Sequence, residues 1–338
     1  MSLIYALNSA AGRAQVVHRD EHRRTFNAIE KRLASEGGYV ANAIGDIGPK
    51  AWLEMDAEVV RLIGQEADPL LADLLPLAQS VAIGKYAVSY KQLTDMDRGE
   101  TSLSGQVTHL MGSTGHQFGG VLVPTHVKAF GRQWREVEAN RTIGLDELRE
   151  DQEAATREVL RLMTDNFVDG NAGLNYQGFE AFGIKTNPGT KAITLTKDFS
   201  SALTSFADMD AEFTRILTTM RSGTNRVTRD LTVYISPEIE ANWRRRSGPT
   251  SFDRTFLEVF RETAGVEDIK VSYRLTGNEL IGFVRSREYI RPVVGQAVGT
   301  TPVPRLRPFD DFQFVTWGAA GLQILADAEG RSGVFYAA

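Results

Sequence analysis

The sequence predicts an α+β subunit, and three stretches carry that prediction. LDELREDQEAATREVLRLMTDNFVDG sets Leu145, Leu148, Ala155, Val159, Leu162 and Met163 along one stripe at helical spacing. VAIGKYAVSYKQL, beginning at Val81, alternates apolar and polar residues as a half-exposed strand does. DLTVYISPEIEANWRRR passes from a strand pattern to a helix pattern at Ser236-Pro237. There the serine can cap the helix, and the missing N–H of the proline costs nothing.

The remaining elements follow in chain order. A helix is expected over 20–34, with Phe26, Ile29 and Leu33 spaced by three and four and Gly37-Gly38 as its stop. DIGPKAWLEMDAEVVRLIGQEADPLLADLLPLA contains three prolines and reads as an extended arm with short helical turns. Residues 81–141 read as a long hairpin. Its return strand lies in VLVPTHVKAFGRQWREVEA, where Pro124 suits an edge, and its tip is the glycine-rich TDMDRGETSLSGQVTHLMGSTGHQFGG. A tip that long is uncommon inside a compact domain unless it is functional or mobile.

The helix after the hairpin places Glu153 and Arg157 at i,i+4 in the favourable order, and Gly170 fits its C-terminal cap. At roughly 1.5 Å per residue it is a rod of about 35 Å. DMDAEFTRILTTMRSG is a second helix, using Phe213, Ile216, Leu217 and Met220 and ending at Gly223. SFDRTFLEVFRETAG is a third. DIKVSYRLTGNELIGFVRS reads as a hairpin turned at Thr276-Gly277-Asn278. FDDFQFVTWGAAGLQILADAEG reads as a strand pair around Gly318 to Gly321. There is no internal repeat.

Composition narrows the function. A chain of 338 residues suits two lobes, or one domain with long excursions. A net charge of -5 weighs against a dedicated nucleic-acid reader. With no cysteine, disulfide frameworks, thiol catalysis and cysteine-ligated zinc are excluded. MSLIYALNSAAGR lacks the basic region and apolar core of a signal peptide, so a cytosolic site of synthesis is expected. No apolar run approaches the ~18 residues of a membrane span.

The chemical motifs dissolve on inspection. In MGSTGHQFGGVLVP, Gly115 to Gly120 has phosphate-loop spacing, but Val121 and Leu122 stand where a lysine and a hydroxyl are required. Ser113 is not in a nucleophile elbow. His18-Arg-Asp-Glu-His22 matches the inverted zincin order, yet Arg13, Arg19, Arg23 and Arg24 crowd it and oppose a dication. It is therefore read as a solvated charged helix, with no metal assigned. His109, His116 and His126 fall in the hairpin and read as surface residues. Trp243-Arg-Arg-Arg246 and the Arg305, Arg307 pair suit a protein interface or a helix C-terminus better than nucleic acid. Asp310-Asp311 and Glu150-Asp151 lie in polar contexts that do not shift a carboxylate towards catalysis. No cofactor is expected, and no enzyme.

The order of parts resembles the major capsid protein of tailed bacteriophages, the Hong Kong 97 type fold. A polar arm, a long hairpin, a long single helix, the strand–Ser-Pro–helix unit VYISPEIEANW and the terminal FQFVTWGAAGLQIL carry the likeness. It covers most of the chain from Val81 onward. The resemblance implies an N-terminal arm over 1–80, an extended hairpin loop over 81–141 and a peripheral domain with its spine helix over 142–223. An axial domain over 224–300 and return strands of the peripheral domain over 301–338 complete it. It implies self-assembly into pentamers and hexamers of a closed virion capsid in the host cytoplasm, around double-stranded DNA bound without sequence preference. A portal protein and a decoration protein are the partners it implies. The chain is a little short to carry its own scaffold segment, so a separate scaffolding protein is expected.

Residues expected at subunit contacts are Tyr90, Met111, Phe118, Val121 and Val123 in the hairpin, and Trp243, Arg244 and Arg245 beyond it. Lys85 and Lys91 are hairpin lysines with no identifiable crosslinking partner. An encapsulin-type nanocompartment shell shares the fold and is the first alternative. A zinc peptidase built on HRDEH is the second.

Overall fold

The computed structural model describes residues 9–36, 49–65, 67–93, 116–137, 147–245, 254–307, 309–327 and 329–338. The hairpin tip with His109 and Met111, the Gly37-Gly38 stop, Leu145 and Arg246 lie outside the described residues.

Two helices precede the first strand. α1 (Ala10–Glu36) is longer than its apolar pattern predicts, and the Ser9 hydroxyl accepts the Gly12 N–H at 2.9 Å as its cap. α2 (Pro49–Gln65) corrects the expectation of an irregular arm. Pro49 opens α2, and Pro69 opens the short α3 (Pro69–Leu74), with Asp68 capping Leu70 N–H at 2.9 Å. Prolines that read as breakers are helix starts, where no N–H partner is lost.

Two larger sheets organise the rest of the described chain. The first has the order β1-β11-β12-β4, where β1 is Gln79–Ser80, β4 Thr125–Arg132, β11 Ile290–Val303 and β12 Phe312–Ile324. β11 was not expected at all, and β12 is one continuous strand, not a strand pair. Gly318 and Gly321 serve close packing, not a turn. A Cβ on Gly321 would stand 1.9 Å from the Leu122 carbonyl oxygen, and one on Gly318 2.9 Å from Val298.

α4 (Glu147–Val168) is the predicted rod and packs against this sheet. Val159, Leu160, Met163 and Phe167 are buried, whereas Leu162 faces outward, so the buried stripe lies one residue from the expected one there. Thr156 and Thr164 are buried too, and each hydroxyl donates to the carbonyl four residues earlier, at 2.8 and 2.9 Å.

The second sheet has the order β7-β13-β10-β8-β9. Its strands are β7 (Lys191–Ile193), β8 (Leu231–Ile235), β9 (Val266–Val271), β10 (Leu280–Phe283) and β13 (Val334–Ala337). β9 and β10 do not form the expected hairpin, because β8 lies between them, parallel to β9 and antiparallel to β10. Gly277, at φ +60°, still makes the turn that carries the chain across.

Helices α5 (Phe206–Arg221), α6 (Pro237–Trp243) and α7 (Phe256–Arg261) share a core with Leu231, Val233 and Ile235 on one face of this sheet. Tyr234, Ile281 and Phe283 point to the other face and join a core with α2, α3, α4 and β11. Alternate strand residues therefore stitch the two halves together. α5 and β13 belong to this second half, although the expected boundaries put both with the peripheral domain. Ser236 caps α6 at Ile239 N–H with Pro237 at its first position, as the sequence predicts.

Candidate assembly surfaces

A two-stranded arm lies beside the first sheet, with Gln92 donating to the Ala326 carbonyl at 3.0 Å. β2 (Ala87–Leu93) pairs antiparallel with β3 (His116–Leu122), with Tyr90 opposite Gly119 and Lys91 opposite Phe118. The return strand of the hairpin is therefore 116–122, part of which reads from sequence as glycine-rich tip. β4, taken from sequence as the return, instead pairs with β12.

Two glycines of MGSTGHQFGGVLVP have a packing role. A Cβ on Gly119 would meet the Tyr90 ring at 2.6 Å, and one on Gly120 the Phe179 ring at 2.3 Å. Phe179 begins β6 (Phe179–Phe182), which pairs with β5 (Gly170–Tyr176) in a second small hairpin against the arm. Tyr86 and Tyr176 bring their rings to 5.5 Å there. At the root, Val123 N–H donates to the Tyr86 carbonyl at 2.9 Å, and Ala320 N–H to that of Pro124 at 3.1 Å.

These contacts sort the expected interface residues. Val121 and Val123 are buried at the arm's root within the subunit, and no neighbour is needed to cover them. Tyr90 is half-buried, and burial pushes its phenol pKa up. Phe118 is 72% exposed and Tyr86 69%, so apolar surface is presented on the outer part of the arm and beside its root. Lys85 and Lys91 are exposed.

The second cluster divides in the same way. Trp243 is fully buried among Phe199, Phe213 and Phe260, with ring centroids 4.6 to 5.8 Å away, so it is a core residue and offers no contact surface. Arg244 stays exposed and pairs with Glu240 at 2.6 Å, one turn back. Arg245 donates to the Ala202 carbonyl at 2.7 Å and lies 5.6 Å from the Phe256 ring centre. Arg305 is buried against Glu30 of α1 and stacked 3.7 Å over Phe312. It clamps α1 to the β11–β12 loop and is not a surface cation. Asp310 accepts the Leu306 and Arg307 N–H groups at 3.1 and 2.8 Å and shapes that loop.

Sequence reasoning missed the polar knot at Asp73. Its carboxylate takes the Tyr234 hydroxyl at 2.6 Å, Lys270 at 2.5 Å and Arg285 at 3.3 Å, tying α3 to the second sheet. Burial, and then the Asp73 hydrogen bond, push the Tyr234 phenol far up, so it remains a donor. His126 is half-buried, not a surface residue, and burial pushes its imidazole below the usual value. An open cavity of about 740 Å³ is lined by residues of β4 and β12 together with Glu136, Asp151 and Val303. Its Arg132 is held by Asp151 at 2.5 Å and Glu147 at 3.0 Å. Among the described residues no helix is long and apolar enough to cross a membrane.

A family model described as a family of unknown function, DUF6260, matches residues 41–337. The chain belongs to that family. No curated protein matches the sequence. Solved structures do resemble the DUF6260 subunit. A virus-like particle protein from Pyrococcus furiosus matches with a TM-score of 0.57 at 14% identity, over 85% of this chain and 99% of that one. The capsid of Myoviridae phage XM1 matches with a TM-score of 0.57 at 13% identity, over 75% and 86%. The capsid of an empty GTA particle matches with a TM-score of 0.51 at 12% identity, over 79% and 89%. At these identities the likeness is one of fold, and that fold is the Hong Kong 97 type of capsid shell proteins.

Proposed function

We propose that this chain is the major capsid protein of a tailed bacteriophage, a structural subunit that closes with copies of itself into an icosahedral shell around double-stranded DNA. The observation that carries this reading is the fold's coverage of whole shell proteins, 86 to 99% of their length. A two-stranded arm cannot bury both of its faces against its own body, and Phe118 shows the cost of leaving it bare. A neighbouring subunit supplies the missing surface. Tyr90, Phe118, Arg244 and Arg245 are the expected interface residues that retain surface to offer it. The domain scheme of arm, hairpin loop, peripheral and axial parts belongs to this reading, with α5 and β13 moved to the axial part. Partners are a separate scaffolding protein, a portal and, in some shells, a decoration protein, all met in the host cytoplasm.

An encapsulin-type shell is the second reading, favoured by the near-complete coverage of the Pyrococcus particle protein. Expression alone and with candidate scaffold, followed by light scattering behind a sizing column and negative-stain imaging, tests both. Capsomers or closed particles are expected. Nuclease-protected DNA marks the capsid, and co-purifying protein cargo the compartment. A strict monomer at high concentration, even with scaffold supplied, rejects both.

A further inference from the structure

The segment His18-Arg-Asp-Glu-His22 lies within α1 and has no part in the shell reading. We propose that His18 and His22 form a two-imidazole clamp for a late first-row divalent ion of the zinc, nickel or copper(II) class. Four residues apart, the two side chains share one helix face. Their Nε2 atoms stand 3.4 Å apart, with ring centroids at 4.6 Å. Two nitrogens each ~2.05 Å from a tetrahedral ion are separated by ~3.3 to 3.4 Å, so the pair already spans the chord such an ion requires. An octahedral or square-planar ion, with a right angle between neighbouring ligands, needs ~2.9 Å, a small side-chain rotation away.

The surroundings support the clamp. His18 is braced by Trp317 of β12, edge-on with centroids 6.4 Å apart. Its Nδ1 is buried and makes no hydrogen bond, so ligation through Nε2 leaves the Nδ1–H without an acceptor and keeps the affinity modest. To hold an ion, both rings would carry their proton on Nδ1 and leave the Nε2 lone pairs free.

The fold also weakens the objection that neighbouring arginines raise. Arg19 donates to Asp20 at 2.9 Å and to Asp56 at 2.7 Å, and Arg23 to Asp56 at 2.7 Å and to the Thr300 carbonyl at 3.2 Å. Asp56 lies on α2, so these guanidiniums are drawn towards that helix and partly neutralised, while His18 packs on Trp317 of β12. His22 is exposed, which leaves the other coordination positions to water. Among the described residues no third histidine or carboxylate converges on the pair. The clamp is therefore an open, modest-affinity site and not the ligand set of a peptidase.

Untagged full-length protein titrated with Ni²⁺ by calorimetry, and with Cu²⁺ by tryptophan emission, tests the proposal. One ion per subunit is expected. Cu²⁺ beside Trp317 should quench part of the emission of the chain's four tryptophans. His22→Ala should weaken binding by at least about tenfold, because one of two ligands is gone, while its exposure leaves the core intact on circular dichroism. Trp317→Phe should keep the calorimetric binding and lose most of the quenching. Wild-type protein that binds neither ion, or a folded His22→Ala that binds as tightly as wild type, overturns the clamp.

Discussion

Glu212 on α5 is buried, and its carboxylate accepts from Arg215 at 2.6 Å, from Thr196 N–H at 2.8 Å and from the Thr196 hydroxyl at 2.8 Å. The Arg215 hydrogen bond foremost, working against burial and helped by Thr196, holds its pKa down to about 2. A depressed carboxylate stabilises the fold above its unfolded value of 4.5 and loses that contribution as pH falls towards about 2. Glu212→Gln should therefore cost about 1 to 3 kcal/mol at neutral pH. Urea melts at descending pH should show the gap to wild type closing below the unfolded value. A gap that does not change with pH would assign the loss to packing, not charge. Glu30 and Arg305 present the opposite hazard, since both are buried and neither has water to fall back on. Glu30→Ala should cost about 3 to 5 kcal/mol and speed amide exchange in α1. Glu30→Leu with Arg305→Met should recover most of it, because replacing a whole buried pair removes the unpaired charge.

The arm's seat on β12 depends on one missing side chain. With the Leu122 carbonyl 1.9 Å from where a Cβ would stand, Gly321→Ala cannot be relieved by rotating a side chain. We expect the variant to keep its helical circular dichroism while β3 loses exchange protection and the melt shifts down by several degrees, equivalent to about 1 to 3 kcal/mol. Unchanged protection at Val121 and Leu122 would show that the backbone adapts. Element by element, local patterns were legible and long-range ones were not. α4, α5 and the Ser236-capped α6 declare themselves through spacing and caps a few residues apart. β11 is buried on nearly every residue, so it shows no alternation, and Pro292, Gly295, Gly299 and Pro302 imitate a loop. Register shifts between Val294 and Gln296 and between Gln296 and Gly299 absorb that irregularity. β9 and β10 look like a hairpin because nothing near them in sequence announces that β8 will part them. Trp243 looks like a surface anchor beside its arginines. Only the fold brings Phe199, Phe213 and Phe260 around it.

For the whole subunit, the capsid reading predicts a body that folds by itself and an arm that is covered by a neighbour. The body's two cores lie on opposite faces of the second sheet, and neither draws on the outer arm. The arm's root is different, because Val121 and Val123 are already buried in the body. A deletion must therefore spare the root to be informative. Replacing 89–120 with a short Gly-Ser linker keeps Val88 opposite Val121 and removes Tyr90 and Phe118. The linker's closure entropy changes only slowly with its length, so folding should not suffer. Ordering the outer arm costs about 1 to 2 kcal/mol per residue, which apolar burial against a neighbour offsets at roughly 25 cal/mol per Å². On the capsid reading, that burial is available only when a second copy is present. The shortened chain should melt cooperatively, within a few degrees of wild type, and give few or no closed particles by microscopy. Phe118→Ala, at a site exposed in the single subunit, should leave the melting temperature unchanged and lower particle yield. Normal particles at wild-type yield from the shortened chain would mean that the arm is not an assembly element, and the contact surface would then have to be sought on the body.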